Sequence, residues 1–385
     1  MSWVFIILFL IYVICILLLR KGIKDLPLFE EKPALPSIGF SIIVPFRNEE
    51  KQLPQLLKSF QEQQYPTSHY ELLLVDDQST DHSATIVQQF IQAHPPIKIR
   101  LISNNRQTNS PKKDALQIAI HQAHHNWIVT TDADCITPPY WLETLSTFIQ
   151  KHQPAMVVGP IMLGVAPIKN HFLSQFEVLD ILSLQGVTMG AFGLGKPLMN
   201  NGAHLAFTQE GFKAVQGYKG NDHLASGDDH FLLEKFLKWQ PNKVQYLKAQ
   251  QAIITTAPQN SWTQLFGQRK RWAAKASAFN NPLTKLLALL IFLTNLQLIG
   301  LVLYTFIQIV LSGDFPNYLH FLLPISAGKI VVDILFFNTA NTFFNKRLHL
   351  LWQIVCGLFY PWFTTTVAIA SFFGNYTWKE RRFKR

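Results

Sequence analysis

The chain has 385 residues, a pI near 9.4 and a formal net charge of +10 at pH 7. Hydrophobic residues make up 48% and charged residues only 15%, compared with about 25% charged residues in ordinary soluble proteins. The 3 cysteines lie far apart, which excludes a disulfide framework and a CxxC zinc site.

The positive charge lies mainly beside the two apolar ends of the chain. The middle has no basic patch interleaved with aromatic residues and no known DNA- or RNA-binding motif, so we expect no nucleic acid partner. Anionic headgroups of membrane lipids are the expected counter-charge. The basic residues that flank the apolar ends are Arg20, Lys21 and Lys24, and then Lys379, Arg381, Arg382, Lys384 and Arg385.

The first apolar run extends from Trp3 to Leu19, which is long enough to span or nearly span a bilayer. A cleaved signal peptide would need basic residues before the run and a small-residue cleavage site after it, and the sequence has neither. We therefore expect residues 1–22 to be an uncleaved transmembrane anchor and residues 23–37 to be a linker. Because the positive charges follow the run, we expect the next domain in the cytoplasm and the protein in the plasma or inner membrane.

Residues 38–278 are less apolar and alternate between strand-like and helix-like patterns. Segments of this kind predict a parallel, doubly wound α/β sheet, in which each strand is buried on both faces. The predicted strands of the first half are Phe40–Val44, Tyr70–Val75, Ile97–Ile102 and a run that begins at Trp127.

Paired carboxylates follow two of these strands. Asp76 and Asp77 end the second strand, and Asp132 and Asp134 follow the strand from Trp127. Parallel strands end at one edge of a sheet, where ligands bind in open α/β folds. Neighbouring carboxylates repel each other, and Mg²⁺ takes one or two carboxylates together with substrate phosphates. The pattern predicts a divalent cation and a phosphate-bearing ligand at this edge.

Several local features carry further expectations. Pro45 is expected to end the first strand, and Asn48 is expected to cap a helix whose first turn carries Glu49 and Glu50. Residues 156–163 and 202–207 have strand patterns, residues 172–181 are amphipathic and suit a membrane surface, and residues 186–195 hold four glycines, which predicts a flexible or close-packed loop.

Residues 279–374 form a second apolar block. Three segments are long enough to span a bilayer, at 283–311, 319–341 and 350–373, and we expect two or three spans. Three spans after the anchor would put the basic tail, residues 375–385, outside, against the positive-inside tendency. Either one segment does not cross, or the tail breaks that tendency. Lys329 and Asp333 lie at i and i+4 in this block and are expected to form a structural ion pair.

Five motifs stand in chain order across residues 38–275, and together they are similar to the membrane-embedded family-2 glycosyltransferases. That family includes cellulose, chitin, hyaluronan and ceramide-glucose synthases. The motifs are Val44-Pro-Phe-Arg-Asn-Glu49, Val75-Asp-Asp-Gln-Ser-Thr-Asp81, Asp132-Ala-Asp134, Gly227-Asp-Asp229 and Gln268-Arg-Lys-Arg-Trp272.

The resemblance implies an α/β fold of the GT-A, Rossmann-like type, flanked by transmembrane helices. It also implies inverting sugar transfer from a UDP-sugar, with Mg²⁺ or Mn²⁺ as the cofactor. By this resemblance Asp77 accepts a hydrogen bond from the uracil, Asp134 binds the metal, and Asp132 holds the ribose or a metal-bound water. The nucleoside pocket is completed by Pro45, Glu49 and Asp76, and Lys113 or Lys112 could add positive charge near the nucleotide, unless both only begin a solvated helix.

The same resemblance assigns the acceptor side. Asp229 is expected to be the general base that deprotonates the acceptor hydroxyl. The family commonly has Glu-Asp where this chain has Asp228-Asp229, so Asp228 could share or take that role. Arg271 is expected at the diphosphate, Trp272 under the acceptor and Gln268 between them. The expected partners are a UDP-sugar, a lipid-linked or glycan acceptor in the cell envelope, and membrane lipids.

Three alternatives to a single-transfer enzyme stay open on the sequence. A processive polysaccharide synthase subunit shares the Gln-x-x-Arg-Trp motif, although the small apolar block disfavours a polymer channel built by this chain alone. A non-catalytic membrane scaffold would have no reason to keep the carboxylates together. A transporter would have more spans and more buried polar residues than this sequence shows.

Overall fold

A computed structural model describes residues 2–164, 171–221, 224, 226–275, 278–312, 319–373, 376–379 and 381–383. Its helices are α1 (Ser2–Asp25), α2 (Leu53–Gln61), α3 (Ser83–Ala93), α4 (Pro111–Gln122), α5 (Trp141–His152), α6 (His171–Gly193), α7 (Gln209–Ala214), α8 (Asp228–Trp239), α9 (Trp262–Ala274), α10 (Pro282–Ser312), α11 (Leu319–Phe344) and α12 (Leu350–Phe372).

The strands are short and belong to three sheets. They are β1 (Phe40–Phe46), β2 (Tyr70–Asp76), β3 (Lys98–Ser103), β4 (Trp127–Thr130), β5 (Cys135–Ile136), β6 (Met156–Val158), β7 (Ile161–Leu163), β8 (Leu205–Thr208), β9 (Val244–Tyr246), β10 (Ile254–Thr256), β11 (Tyr376–Trp378) and β12 (Arg381–Phe383).

The central sheet has the strand order β3-β2-β1-β4-β8-β6-β9. Strands β3, β2, β1 and β4 are mutually parallel, whereas β8 runs antiparallel to β4 and β6. The predicted α/β fold with a parallel, doubly wound first half is therefore confirmed, and the second half of the sheet is mixed. Because β2 and β4 both flank β1 in parallel, the carboxylates that follow them lie at the same edge, as predicted.

Both faces of the sheet are buried, which explains the continuous apolar strands. Side chains alternate between the faces along each strand. Ile43 and Ile128 pack with α4 on one face, and Ile42 and Val129 pack with α2 and α5 on the other. Each of these four side chains is 0% exposed, so the sheet edge that carries the carboxylates has a rigid support.

The loop after β1 differs from the prediction. Pro45 does not end the strand but pairs with Val75 inside it, and α2 begins only at Leu53. Asn48 does not cap a helix, since its φ is +51° and its backbone N–H donates to Ser79 Oγ at 3.1 Å. Hydrogen bonds between the loops after β1 and β2 take the place of an earlier helix start. They hold the loop after β1 at the sheet edge.

Two other expectations need correction. Residues 156–163 form two strands, β6 and β7, in different sheets, because the chain turns at Gly159 and Pro160 between them. Residues 186–193 are the last turns of α6 and not a loop. The close packing that the glycines predict is present. A Cβ at Gly190 would lie 2.5 Å from the carbonyl oxygen of Leu19 in α1.

Among the residues that the structure describes, four helices are long and apolar enough to cross a membrane. They are Trp3–Asp25, Pro282–Leu311, Leu322–Phe344 and Leu350–Phe372. The ion pair expected from the i, i+4 spacing is formed, with Lys329 Nζ 2.6 Å from Asp333 Oδ2. Tyr12 of α1 donates to Asp333 Oδ1 at 2.6 Å. The buried charges are therefore shielded by protein and by each other, as apolar surroundings require.

Helix α12 stays beside the α/β domain from its first turn to its end. Trp352 stacks on Phe172 with ring centroids 6.0 Å apart, and Phe363 lies 6.1 Å from the Trp262 ring of α9. The segment that follows α12 returns to the sheet edge, where Lys379 and Arg381 form ion pairs. Lys379 and Arg381 of the basic tail thus lie against the α/β domain. The number of segments that cross the membrane stays a prediction.

We expect a side chain at Gly190 to separate α1 from α6. Gly190→Ala places a methyl group against the backbone of Leu19, and overpacking of this kind costs about 1–3 kcal/mol. The melting temperature of the detergent-solubilised protein should fall by several degrees. Gly300→Ala is the matched control, because Gly300 lies in α10 and a Cβ added there would have no heavy atom within 4 Å. Equal melting temperatures for the two variants would contradict the close α1–α6 contact.

Candidate active site

Asp77 is almost fully enclosed at the end of β2, with only 5% of its surface exposed. Its Oδ1 accepts from Asn104 Nδ2 at 2.8 Å and from Arg106 Nε at 2.9 Å. Arg381 Nη1 forms an ion pair with Oδ2, and Arg381 Nη2 donates to the Asp77 carbonyl at 3.0 Å. Both carboxylate oxygens therefore have cationic or amide partners, which come from two distant parts of the chain.

Three other residues of the predicted nucleoside pocket lie beside Asp77. Glu49 follows β1 and forms an ion pair with Lys379 Nζ at 2.7 Å. Burial raises the pKa of Glu49, although Lys379 opposes that effect. Asp76 accepts from the backbone N–H of Ser79 at 2.9 Å, so it shapes the loop after β2. Pro45 lies one strand away, opposite Val75.

Lys112 joins carboxylates from two of the five motifs. Its Nζ lies 2.8 Å from Asp132 Oδ1, beyond β4, and 3.4 Å from Asp228 Oδ2, at the start of α8. Burial alone lowers the pKa of Lys112, but Asp132 and Asp228 outweigh it and raise that pKa, so the ammonium stays charged. One cation thus brings together two motifs that are far apart in the chain.

Asp134 lies deeper at the same edge. Burial, and then the neighbouring charges of Asp132 and Glu49, raise the pKa of Asp134 to about 6. A carboxylate with a raised pKa in this setting lacks sufficient positive charge around it. Among the described residues no group of three or more His, Cys, Asp or Glu side chains is placed to hold a metal ion. A cation here would need ligands from a substrate, which suits Mg²⁺ or Mn²⁺ bound by a diphosphate.

Asp229 occupies the first turn of α8, next to Asp228. Burial by itself raises its pKa, but Lys275, Lys112 and the backbone N–H of His230 outweigh burial and hold the pKa of Asp229 below its usual range. Lys275 Nζ lies 3.5 Å from Asp229 Oδ1, and the backbone N–H of His230 donates to the same oxygen at 2.8 Å. The side chain is therefore an anion at neutral pH and a potential hydrogen-bond acceptor.

Small residues leave space around this cluster. A Cβ at Gly202 would lie 3.2 Å from Asp228 Oδ2 and 3.4 Å from Lys112 Nζ. His204, in the same short turn, is fully buried; its Nε2 accepts from Trp141 Nε1 at 2.9 Å, and its Nδ1 lies 3.1 Å from the Pro160 carbonyl. Burial lowers the pKa of His204 to about 4, so this histidine is neutral and structural.

Helix α9 carries Gln268, Arg271 and Trp272 and is fastened to α6. Arg269 Nε pairs with the buried Asp180 of α6, and the Arg269 guanidinium lies 4.2 Å from the centre of the Trp272 ring. Glu177 of α6 accepts from the backbone N–H of Gln259 at 3.1 and 3.0 Å, just before α9 begins. These contacts fix the orientation of α9, while Gln268, Arg271 and Trp272 are only partly exposed.

The structure separates the two neighbouring lysines of α4. Lys113 is 1% exposed and donates to the backbone carbonyls of Asn221 and Leu224, so its ammonium supports a turn. The expectation that Lys113 lies at the nucleotide finds no support in this geometry. Lys112 occupies the site instead, and the two were equivalent at the level of sequence.

Sequence reasoning did not find four cations of this site: Arg106, Lys275, Lys379 and Arg381. Arg106 lies in a polar loop with no motif around it, and Lys275 follows α9. The sequence pattern grouped Lys379 and Arg381 with the lipid-facing tail. Of these four cations, only Arg106 could have been suspected from the sequence, because it lies shortly after the end of a predicted strand.

Residues 41–205 match the family model described as Glycosyl transferase family 2. The chain carries a family-2 glycosyltransferase domain. This confirms the resemblance inferred from the five motifs. The matched range includes Asp77, Lys112, Asp132 and Asp134 and ends before Asp228.

Two curated relatives illustrate the range of the similarity. The poly(ribitol-phosphate) beta-N-acetylglucosaminyltransferase TarS of Staphylococcus aureus is 33% identical over 115 residues, which is 29% of this chain and 19% of that protein. The beta-monoglucosyldiacylglycerol synthase of Nostoc sp. is 25% identical over 250 residues, which is 63% of this chain and 50% of that protein. The chain thus spans at most about half the length of these relatives.

A solved structure covers almost the whole chain. The mannosyltransferase PcManGT from Pyrobaculum calidifontis, in complex with GDP-Man and Mn2+, superposes with a TM-score of 0.51 at 16% identity. The match covers 96% of this chain and 94% of that chain. At this identity the likeness establishes the shared fold, and it confirms the predicted GT-A class.

We expect the loss of stability caused by replacing each lysine of α4 to depend on pH for Lys112 but not for Lys113. Lys113→Met leaves buried carbonyls unpaired, at a cost of about 1–3 kcal/mol that should not change between about pH 7 and 4. Lys112 helps to hold the pKa of Asp229 low. Its contribution to stability is present above the unfolded-state pKa of about 3.9 and is lost as the pH falls below that value.

The measurement is the melting temperature of wild type, Lys112→Met and Lys113→Met from neutral pH down through that unfolded-state pKa. The deficit of Lys112→Met should shrink towards low pH, and that of Lys113→Met should stay constant. Parallel curves for the two variants would contradict the placement of Lys112 among the carboxylates.

Proposed function

We propose that the protein is an inverting glycosyltransferase that transfers a sugar from a UDP-sugar to a membrane-associated lipid or glycan acceptor of the cell envelope. One observation carries the proposal: Lys112 joins Asp132, at the donor-side sheet edge, to Asp228, beside the candidate base. A donor bound at the sheet edge would present its anomeric carbon to the start of α8.

The donor end of the site is the pocket around Asp77. Its carboxylate is a suitable acceptor for a base N–H, and Pro45 and Glu49 lie beside it. Asp76 holds the loop that forms one wall. Lys112 is one of the two lysines that the sequence offered near the nucleotide, and its positive charge suits a diphosphate.

The carboxylates of Asp134 and Asp132 fit a divalent cation bridged to that diphosphate. Bound there, Mg²⁺ or Mn²⁺ would act as a Lewis acid for the leaving phosphate. Burial and the neighbouring charges of Asp132 and Glu49 raise the pKa of Asp134, and a bound cation would oppose that effect. The solved neighbour that contains Mn2+ is consistent with this choice.

The chemistry asked of the protein is one in-line displacement at the anomeric carbon. Asp229 would accept the proton of the acceptor hydroxyl, and its lowered pKa keeps it ionised and ready. Both carboxylates have a lysine partner, Lys112 for Asp228 and Lys275 for Asp229, so the choice of Asp229 rests on its position in the motif. Arg271 would stabilise the charge that develops on the leaving diphosphate, and Trp272 offers an apolar face for the acceptor.

The acceptor is proposed to come from the membrane side. An aromatic group where α6, α9 and α12 meet lies beside the Gln-x-x-Arg-Trp helix and includes Phe172, Phe176, Trp262, Phe359 and Phe363. The relatives include a poly(ribitol-phosphate) beta-N-acetylglucosaminyltransferase and a beta-monoglucosyldiacylglycerol synthase, whose names contain a glycan and a lipid. We place the α/β domain in the cytoplasm, where nucleotide sugars are made, in agreement with the positive charges after α1.

Detergent-solubilised protein should transfer sugar from one member of a panel of UDP-sugars, with GDP-mannose included, to a lipid or glycan acceptor, as detected by mass spectrometry. Asp229→Asn keeps the shape of the side chain but removes its basicity. Turnover should fall by about 10²–10⁴-fold while UDP affinity stays unchanged. Asp77→Ala should weaken nucleotide binding. Calorimetry with UDP and with GDP separates the two effects.

Asp228→Asn is the matched control for the base. If it abolishes turnover while Asp229→Asn retains it, the base is Asp228. Absence of transfer from every donor, together with absence of nucleotide binding, would overturn the proposed function.

Metal binding should depend on pH through Asp134. Below about pH 6 this carboxyl group is protonated, so a cation must displace a proton and its affinity should fall about tenfold per pH unit. Mn²⁺ titrations in the presence of UDP, at several values between about pH 5 and 8, measure this slope. Asp134→Asn should weaken binding and flatten the slope, whereas Asp25→Asn, an exposed change at the end of α1, should do neither. A slope that Asp134→Asn leaves unchanged would remove Asp134 from the metal site.

A further inference from the structure

Residues 376–379 and 381–383, after α12, form a small antiparallel hairpin, β11–β12, which we name the C-terminal hairpin. Tyr376 pairs with Phe383 and Trp378 pairs with Arg381. Lys379 has a φ of +48°, as tight hairpin turns require. The hairpin is far from the sheet edge in sequence and reaches it only because α12 stays beside the domain.

The hairpin places two cations on the two carboxylates of the proposed nucleoside pocket. Lys379 Nζ lies 2.7 Å from Glu49 Oε1, and Arg381 Nη1 pairs with Asp77 Oδ2. Its backbone is held as well, since Arg47 Nε donates to the Lys379 carbonyl at 3.3 Å. Arg47 Nη1 and Arg381 Nη2 both donate to the Asp77 carbonyl, at 2.9 and 3.0 Å.

These contacts occupy both carboxylate oxygens of Asp77. Asn104 and Arg106 occupy Oδ1, and Arg381 occupies Oδ2, while the residue is 5% exposed. The side chains of Arg381 and Lys379 are only 16% and 29% exposed, so both are enclosed by the pocket. A base that donates an N–H to Asp77 would need the position that the Arg381 guanidinium holds.

We propose that the C-terminal hairpin is an autoinhibitory latch that closes the nucleoside pocket and must leave before a nucleotide sugar binds. This rests on the proposed function, since it takes Asp77 and Glu49 as nucleotide-binding residues. The nucleotide and the hairpin compete for the same carboxylates. The apparent affinity for nucleotide is therefore the intrinsic affinity reduced by the fraction of molecules with the latch open.

The test is calorimetric titration of UDP and of GDP into full-length wild type, Arg381→Ala and Arg381→Glu, each with Mg²⁺. Charge-assisted hydrogen bonds shift such an equilibrium by about one to two decades. Arg381→Ala should bind nucleotide about 10- to 100-fold more tightly, and Arg381→Glu, which repels Asp77, at least as tightly. Arg347→Ala, a change beyond α11 and away from the pocket, is the matched control and should bind like wild type. Melting temperatures establish that each variant is folded.

Hydrogen–deuterium exchange gives a second readout that needs no activity. The amides of residues 376–379 and 381–383 should exchange slowly in wild type, faster when nucleotide is added, and fast in Arg381→Glu without nucleotide. Unchanged nucleotide affinity in both Arg381 variants would overturn the latch. Weaker nucleotide binding would also overturn it and would make Arg381 a donor-binding residue. If the latch is overturned but wild type binds nucleotide, the proposed function still stands. If no folded variant binds nucleotide, both the latch and the proposed function are overturned.

Discussion

Mutual repulsion among carboxylates is the constraint that organises this protein. Two strands and one helix deliver Asp77, Asp132, Asp134 and Asp229 to a single sheet edge, where their charges would oppose folding if left alone. Asp77, Asp132 and Asp229 each pair with a cation from elsewhere in the chain. Burial and the charges of Asp132 and Glu49 raise the pKa of Asp134, and Lys379 opposes this only in part. The negative charges of the site are thus largely neutralised by the protein, and a metal ion bound with a diphosphate could neutralise the rest.

Lys112 is central to that balance because it is shared. It lies between Asp132, which follows β4, and Asp228, which begins α8, so it couples the positions of these two elements. Arg269 has the corresponding role for the Gln-x-x-Arg-Trp helix, since its pair with Asp180 fastens α9 to α6. Helix α6 in turn packs through Gly190 on α1. The reacting groups and the apolar helices are consequently parts of one packed unit.

The C-terminal hairpin applies the same electrostatic rule to regulation. A basic segment beside an acidic pocket gains ion pairs when it closes, and a diphosphate with its metal changes the charge that the segment meets. An enzyme beside a membrane could in this way keep its pocket closed until donor is abundant. The arrangement also accounts for the position of Lys379 and Arg381, from a tail with several basic residues, against the α/β domain.

Much of the architecture followed from the sequence alone. Apolar, β-branched runs identified β1 to β4, paired carboxylates marked the sheet edge, and long apolar runs identified the membrane helices, because each pattern is local and reports burial directly. Five ordered motifs identified the family. In contrast, the predicted start of α2 was wrong by several residues, because the backbone N–H groups of Asn48 and Glu50 donate to Ser79 and Asp81 of the neighbouring loop.

Only the tertiary structure decided which charges meet. Lys112 and Lys113 are adjacent and alike in sequence, and the rotation of α4 against the sheet sends one to Asp132 and the other to backbone carbonyls. The pairing of Arg381 with Asp77 joins residues 304 positions apart, through a helix whose direction no local pattern specifies. Local patterns encode burial and backbone preference, whereas the partner of a charge depends on which distant segments the fold brings together.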